Sequence, residues 1–511
     1  MSYESGDRTT ARIELWSLRE DVLVEDGPGK DELVAVTRWA EIRLDGADDT
    51  VRESLHRMSL GPVSLANVLP GRPPGSDSVN GLDKMDDRLA WANLLSVLDL
   101  LSGSVVRSLG LSDGDSPLLS AVPIAPHASF HPARVDPDRP VRLSRFAAIR
   151  AVDGELLLES PLSAYHIVLH RHVASRVVMA LSGPTTIGEI ADVADVPPDI
   201  VSDIMAYLAA TGIALVGQWD DQPGQPGQTG QTRFAEDEDA TLTSWSHHDL
   251  LFHSRSRMGR YGGQSGAVFP HSQTHPSPEL VKPIRSGRRF QLYRPRIVEL
   301  MKSDPPLTKV LENTRHSAEL TGRELTAEQV GELLFRAARI RSVSAESTSA
   351  EATSSESTDT AVSYDISDRP YLSVHGLYEL ELYVSVHNCA SLSSGTYHYD
   401  PEYHALTLVN DSRLELDELL ETARIAAGSP VAPSVLITMT ARVARFSWMY
   451  GGIGYSLTLA HVGALQQTLC LVANAMGLAA CAPAVDPGDV LDSALQLGWP
   501  AEVGVGEFLV G

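Results

Sequence analysis

The sequence predicts an α+β protein: two winged-helix-like modules over residues 1–110 and 140–217, a flexible linker over 218–240, and a larger α+β domain over 241–511. Three observations predict it. The stretch QWDDQPGQPGQTGQTRFAEDED, residues 218–239, is Gln/Gly/Pro-rich and then acidic, which is the chemistry of a solvated connector. Ahead of it, residues 187–217 read as helix, turn, helix and strand. Behind it, strand patterns stand on both sides of a long apolar run from Tyr455 to Val485. A chain of 511 residues is also too long for one ordinary core.

The first half carries a faint internal repeat. LWSLREDVLVEDGPGKDELVAVTRWAEIRL and LSRFAAIRAVDGELLLESPLSAYHIVL both alternate strand residues around a Gly/Asp turn. Each copy passes through a helix into a Gly-Pro, Gly61-Pro62 and Gly183-Pro184, and later into a helix ending at glycine, Gly103 and Gly212. In the second copy a helix is expected over Ile187–Val193. A turn at Val196-Pro197-Pro198-Asp199 comes next, with proline at the next helix start, and then a strand in IALVG. The helix that would enter a DNA groove carries Asp199 and Asp203 and no Lys or Arg, so a peptide added to a sheet edge suits this module better than nucleic acid. A purely structural or dimerisation module is an equal alternative.

In the second half, WSHHDLLFHSRSRMGRYGG reads as a polar helix leading into a Gly-rich turn. His247, His248 and His253 have no carboxylate or cysteine at metal-ligand spacing except Asp249, so no metal site is expected. LTKVLENTRHS is a short helix ending in Arg315-His316-Ser317. Thr326 with Gln329 is a capping box that opens the amphipathic helix TAEQVGELLFRAARIRS. Residues 342–361, rich in Ser, Thr, Glu and Ala, have almost nothing to bury and read as a disordered loop. A strand over Leu380–Val384 is next, then a hairpin around Asp400-Pro401, a strand at Ser434–Thr440 and a final strand in GEFLVG. Between the last two lies SWMYGGIGY, residues 447–455, where two aromatics and three glycines introduce the apolar helix.

Composition excludes several classes. A net charge of −25, from 41 Lys and Arg against 66 Asp and Glu, repels nucleic acid and anionic lipid. Three sparse cysteines, Cys389, Cys470 and Cys481, suggest neither a disulfide framework nor a zinc site, and a reducing cytoplasm fits them best. The amino terminus lacks the basic and apolar regions of a secretory signal. The apolar run is interrupted by His461, Gln466, Gln467 and Asn474, which favours a buried helix over a membrane span.

Taken together, HDLLFHSRSRMGR, the TRHS segment, YLSVHGLYELELYVSV, TYHYDPEYHALTLV, ARFSWMYGGIGYSLTLAHVGALQQTLCLVANAMGLAACA and GEFLVG resemble, in family order over residues 245–511, the SagB/McbC-type azoline dehydrogenases. These form a branch of the FMN-dependent nitroreductase-like fold. The resemblance implies oxidation of thiazoline or oxazoline rings in a ribosomally made precursor peptide to thiazoles or oxazoles, on the route to azole-containing, for instance thiopeptide-like, products. FMN accepts the hydride and oxygen regenerates it. The resemblance further implies work beside a cyclodehydratase, an amino-terminal region that recognises the leader of the azoline-bearing peptide, and a homodimer with flavin at the subunit interface.

By the same resemblance, Arg315, His316 and Ser317 face the flavin phosphate and ribityl chain, Ser373 and Gly376 approach the flavin from the partner subunit, and Pro483 and Ala484 pass near its reactive edge. Aromatisation needs a base opposite the flavin. The family's Lys-Tyr pair falls on Met449-Tyr450, so Tyr450 is retained as the catalytic residue without its lysine. Arg445, His461 or a second subunit stands in as its activator, or the step needs less of a base, and Met449 is expected to line the pocket. Glu319, Leu372, Val374 and Glu379 also depart from the family pattern. Two rival readings remain: a reductase of small molecules using NAD(P)H, and a non-catalytic scaffold of a cyclodehydratase complex.

Overall fold

The computed structural model describes residues 12–29, 32–69, 85–112, 114, 116–219, 232–257, 259–283, 286–313, 320–350, 360–483 and 488–511. It is a mixed helix and sheet protein of two compact units, residues 1–264 and 265–511.

In the first unit, the expected helices form over Ile187–Ala194 and Pro198–Ala210. The first starts at a capping box, in which Thr186 and Glu189 satisfy each other's backbone donors. The second starts with Pro198, whose fixed φ suits a first helical position and whose missing N–H would have had no intrahelical partner. The strand Ala214–Val216 comes after it and pairs with Val141–Leu143. The order of helix, turn, helix and strand read from the sequence is therefore present.

The division into separate modules over 1–110 and 140–217 is corrected. Arg12–Leu18 and Val105–Leu111 lie in one antiparallel six-stranded sheet with Leu119–Pro123, Tyr165–Leu169, Glu155–Glu159 and Ala148–Val152. Leu119–Pro123, which falls between the two expected modules, joins them. Two hydrophobic clusters survive as an echo of the repeat, one running from Leu18 to Val105 and one from Leu109 to Ala214. A smaller sheet, Leu23–Asp26, Glu32–Val36 and Glu41–Asp45, belongs to the first cluster and leaves Leu23–Asp26 as an edge.

The boundary also moves, from 218–240 to Gln264. Residues at the end of the expected linker and beyond it are tied to the first unit by buried polar contacts. Glu236 is only 5% exposed; it accepts from the Ser144 hydroxyl and, at 2.9 Å, from the Arg145 backbone N–H. Arg255 reaches Glu159 at 3.2 Å and the Ser160 carbonyl at 3.1 Å, and Ser254 donates to the Pro161 carbonyl. A carboxylate held this way cannot leave without stranding buried donors. Residues 220–231 of the expected linker lie outside the described residues.

The second unit is built on an antiparallel seven-stranded sheet in the order Arg289–Gln291, Ala405–Asn410, Gly395–Asp400, Leu380–Val386, Val435–Arg442, Glu502–Val510 and Ala480–Cys481. Every residue of the central Leu380–Val386 strand is buried, so the alternation read there does not reach solvent on either face. The hairpin around Asp400-Pro401 forms as expected. The helix Ala327–Ala338 carries both halves of its Thr326/Gln329 capping box. The disordered loop expected over 342–361 is corrected at its two ends: Ser342–Ala350 pairs along its whole length with Thr360–Asp368. Its partner supplies the apolar side chains, Val362, Tyr364 and Ile366, that the Ser/Thr segment lacks, while residues 351–359 lie outside the described residues. The helix Gly454–Ala475 is long and apolar enough to cross a membrane, but it buries Thr458, His461, Val462, Leu465 and Leu469 in the core.

Candidate active site

SWMYGGIGY closes a short helix, Val443–Met449, and feeds the long one through Tyr450 and Gly451. These two residues pair with Ala267 and Gly266, which fixes the direction in which the Tyr450 side chain leaves the backbone. Gly452 has φ +72, and a Cβ on Gly454 would come within 2.7 Å of the Phe446 ring. At Gly454, then, the requirement is close packing of one helix on the other. Met449 is 1% exposed and packs in the main core cluster, so it fills the core rather than lining a pocket.

Tyr450 is itself 4% exposed. Its hydroxyl lies 2.9 Å from His375 Nδ1 and 3.4 Å from the Val374 carbonyl, and the His375 and Tyr450 rings lie 5.9 Å apart at 21°. Burial pushes the Tyr450 phenol well above its ordinary pKa, and the nearby Glu379 carboxylate and Tyr364 add to the rise. The phenol is therefore protonated, with the imidazole nitrogen and the Val374 carbonyl both within its reach. His375 holds φ +54, Gly376 φ +64 and Tyr378 φ +45, with right-handed Leu377 between the last two; such backbone is uncommon for a residue other than glycine and is held in place by its surroundings.

That constraint is built from buried polar groups. The Val374 N–H donates to His461 Nε2 at 2.9 Å, and His461 Nδ1 meets Glu379 Oε1 at 2.9 Å. Because Nε2 accepts, Nδ1 carries the proton and donates to the carboxylate, which fixes the tautomer. Glu379 is wholly buried, and its Oε2 finds no partner among the described residues. Arg445 donates to the carbonyls of Leu377 at 3.1 Å, Asp365 at 2.9 Å and Pro278 at 2.6 Å. Burial, then Arg442 and Arg369, lowers its pKa to about 10, still a cation near neutrality. Its donors clamp the segments around His375; His461 acts on the same loop through the Val374 backbone.

Of the other residues expected at the site, Ser373 accepts from the Tyr378 N–H at 3.0 Å and so shapes the same turn. Gly376 sits beside Ile366, where a Cβ would come within 3.1 Å. Pro483 lines a cavity of about 370 Å³ together with Thr438, Tyr455, Gln466, Gly504 and Glu507. Arg315, His316, Ser317, Glu319 and Ala484 lie outside the described residues. The residues that the sequence left without a role are His375 and Glu379. His375 is visible only as a histidine beside Ser373 and Gly376, and its relation to Tyr450 spans 75 positions.

The cavity offers a test for a flavin. An isoalloxazine has an apolar edge and a polar edge with both donor and acceptor atoms. Val462 and Val505 supply apolar wall, Gln466 and Glu507 polar wall, and the buried Thr438 hydroxyl finds no partner among the described residues. The residues present fit such a ring.

Residues 141–262 match the cyanobactin oxidase ThcOx family, within the first compact unit and ending two residues short of its limit. The resemblance read over 245–511 overlaps that match only at its start. A protein of Methanocaldococcus jannaschii that carries the name nitroreductase, MJ1384, is 32% identical over 106 residues, or 21% of this chain and 52% of the relative. The chain thus spans about half the length of the curated relative it matches. A solved structure named as a nitroreductase from Ralstonia eutropha JMP134 aligns with TM-score 0.33 and 18% identity, over 45% of this chain and 97% of that one. A chain of the E. coli microcin synthetase McbBCD complex with truncated pro-MccB17 bound aligns with TM-score 0.30 and 16% identity, over 55% and 97%.

Proposed function

We propose, for a chain related to SagB/McbC-type, nitroreductase-like azoline oxidases, the oxidation of thiazoline or oxazoline rings to thiazoles or oxazoles in a ribosomally made precursor peptide. The contact between His375 and Tyr450 carries this reading. FMN, when bound, supplies the hydride acceptor, with oxygen as the final oxidant. Thr438, Gln466 and Pro483 in the cavity, with Arg315, His316, Ser317, Ser373, Gly376 and Ala484 by the family resemblance, would hold it.

The chain's own residues deal with the proton. Losing a hydride from one ring carbon leaves a proton to be taken from its neighbour. A phenol raised by burial is a poor base alone, so Tyr450 acts as a relay. Its oxygen takes the substrate proton while its own proton passes to His375 Nδ1, and the exposed imidazolium returns that proton to water. No cation beside Tyr450 is then required, which is consistent with a buried methionine at 449.

The edge strand Leu23–Asp26 runs beside the helix Asp49–Leu60, with a groove between them lined by Val24, Leu33, Leu55 and His56. An extended leader adds there through backbone hydrogen bonds. A cyclodehydratase supplies the azoline, and two copies of the chain form the working enzyme in the cytoplasm. The test is mass spectrometry of an azoline-bearing precursor peptide incubated with protein, FMN and oxygen. Loss of two hydrogens per ring supports the reading; intact azolines from flavin-loaded protein overturn it.

A further inference from the structure

We infer that the first unit contains a second, separate binding site, which takes a carboxylate carried on an apolar stem and binds it on Arg107. A cavity of about 320 Å³ is walled by Trp16, Leu98, Val105, Phe130 and Tyr165, with Arg107 among its lining residues. The Arg107 guanidinium lies 3.3 Å from the centre of the Trp16 ring and 5.0 Å from that of Phe130. This arrangement holds the fork in one plane.

Arg107 is 9% exposed, and its charge is poorly matched. Its nearest carboxylate is Glu14, 3.5 Å from Nη2 and about half exposed. Its Nε finds no partner among the described residues. Of the other polar groups around it, the Tyr207 phenol hydrogen-bonds the guanidinium and, like the Tyr165 phenol, is held protonated by burial; on the cavity wall stand Ser102, the exposed His131 and the exposed Asp99. None of these supplies a buried anion. The Nε–Nη2 edge is the side of a guanidinium that grips a carboxylate with two parallel bonds, and here it has one long ion pair and one bare donor. Burying an arginine this way costs several kcal/mol unless an anion answers it. The apolar walls then select the stem to which the carboxylate is attached.

The chemistry fits two sources, an acidic peptide side chain flanked by apolar residues and a free aliphatic acid. Calorimetric titration of the full chain with acetyl-Leu-Glu-Leu-amide and with hexanoate, each against its carboxamide counterpart, separates them. An acid should bind about tenfold or more tightly than its amide in at least one arm, and that arm names the source. Arg107→Gln should erase the preference. Glu14→Gln removes the competing carboxylate from a half-exposed position, so it leaves the fold intact and should tighten the acid several-fold. Three results would each overturn the site: neither acid saturating, amide and acid binding alike, or Glu14→Gln failing to tighten the binding acid.

Discussion

His375 Nδ1 stands 2.9 Å from the hydroxyl of Tyr450, with the two rings within 21° of parallel. Seventy-five residues of chain separate them, and the histidine takes up left-handed backbone to make the contact. If the pair passes a proton, each half is needed. Tyr450→Phe and His375→Asn should each lower kcat for azoline oxidation by roughly 10²- to 10⁴-fold, the usual worth of general acid–base catalysis. The double variant should be little worse than either single one, because both break one path. Flavin absorbance should be unchanged in all three. A fully active His375→Asn would remove the imidazole from the reaction.

Glu379 and His461 reach the loop that carries His375 through the Val374 backbone. Glu379→Gln retains an acceptor for His461 Nδ1 and should fold normally. Glu379→Leu leaves that donor buried without a partner and should cost about 1–3 kcal/mol of stability in urea denaturation. In surviving Glu379→Leu protein, kcat should fall with KM nearly unchanged, since the loop that carries His375 loses its support. A change confined to KM would place Glu379 in substrate binding instead.

The exposed side of the helix Gly454–Ala475 carries Leu459, Ala460 and Gly463, an apolar stripe next to Tyr455. A second copy is what the proposed homodimer would lay over it. Leu459→Glu should therefore shift the sedimentation coefficient toward the monomer. Because Leu459 is 39% exposed in the single chain, the same change should leave thermal stability of the monomer nearly intact. An unaltered sedimentation profile would move the interface elsewhere.

The parts of the fold that could be read from sequence are those set by near neighbours. Thr326 and Gln329 are three positions apart, Pro198 sits at its own helix start, and Asp400-Pro401 turns a hairpin between adjacent strands. The errors lie where the partner is distant. Glu236 looks like one more acid in a polar connector until Ser144, 92 residues earlier, gives it a buried donor. Ser342–Ala350 has too little to bury alone and becomes a strand through Val362, Tyr364 and Ile366 opposite. The candidate site divides the same way. Tyr450 is marked by its glycines and aromatics, whereas His375 and Glu379 gain meaning only when the chain brings them to Tyr450 and His461.

Glu236 offers a direct test of where the first unit ends. It accepts from the Ser144 hydroxyl, from the Arg145 N–H at 2.9 Å and from Arg142 at 3.4 Å. Glu236→Ala should destabilise this unit by about 1–3 kcal/mol, since buried donors lose their acceptor. A fragment ending at residue 240 also loses Arg255 and Ser254. It should unfold at lower urea than one ending at 264. Equal midpoints would return the boundary to the Gln/Gly/Pro segment.

His404 supplies a pH dependence with a definite sign. It is 1% exposed, holds φ +53, accepts from the Tyr399 hydroxyl at 2.9 Å on Nδ1 and donates to the Tyr293 carbonyl at 2.8 Å from Nε2. Burial chiefly, with Arg294 and Arg339 adding to it, lowers its pKa to about 4 from an ordinary 6.5. Below pH 6.5 the unfolded chain takes up a proton that the folded chain refuses, so stability present above 6.5 drains away as pH falls toward 4 and then levels off. The loss should approach roughly 3 kcal/mol. His404→Asn tolerates the left-handed backbone and carries no titrating group. Its urea midpoint, measured from pH 7.5 to 4.5, should fall less steeply than that of the parent by about one proton's worth of slope, whatever the carboxylates contribute to both. Parallel curves for the two proteins would mean that His404 is not held neutral in the fold.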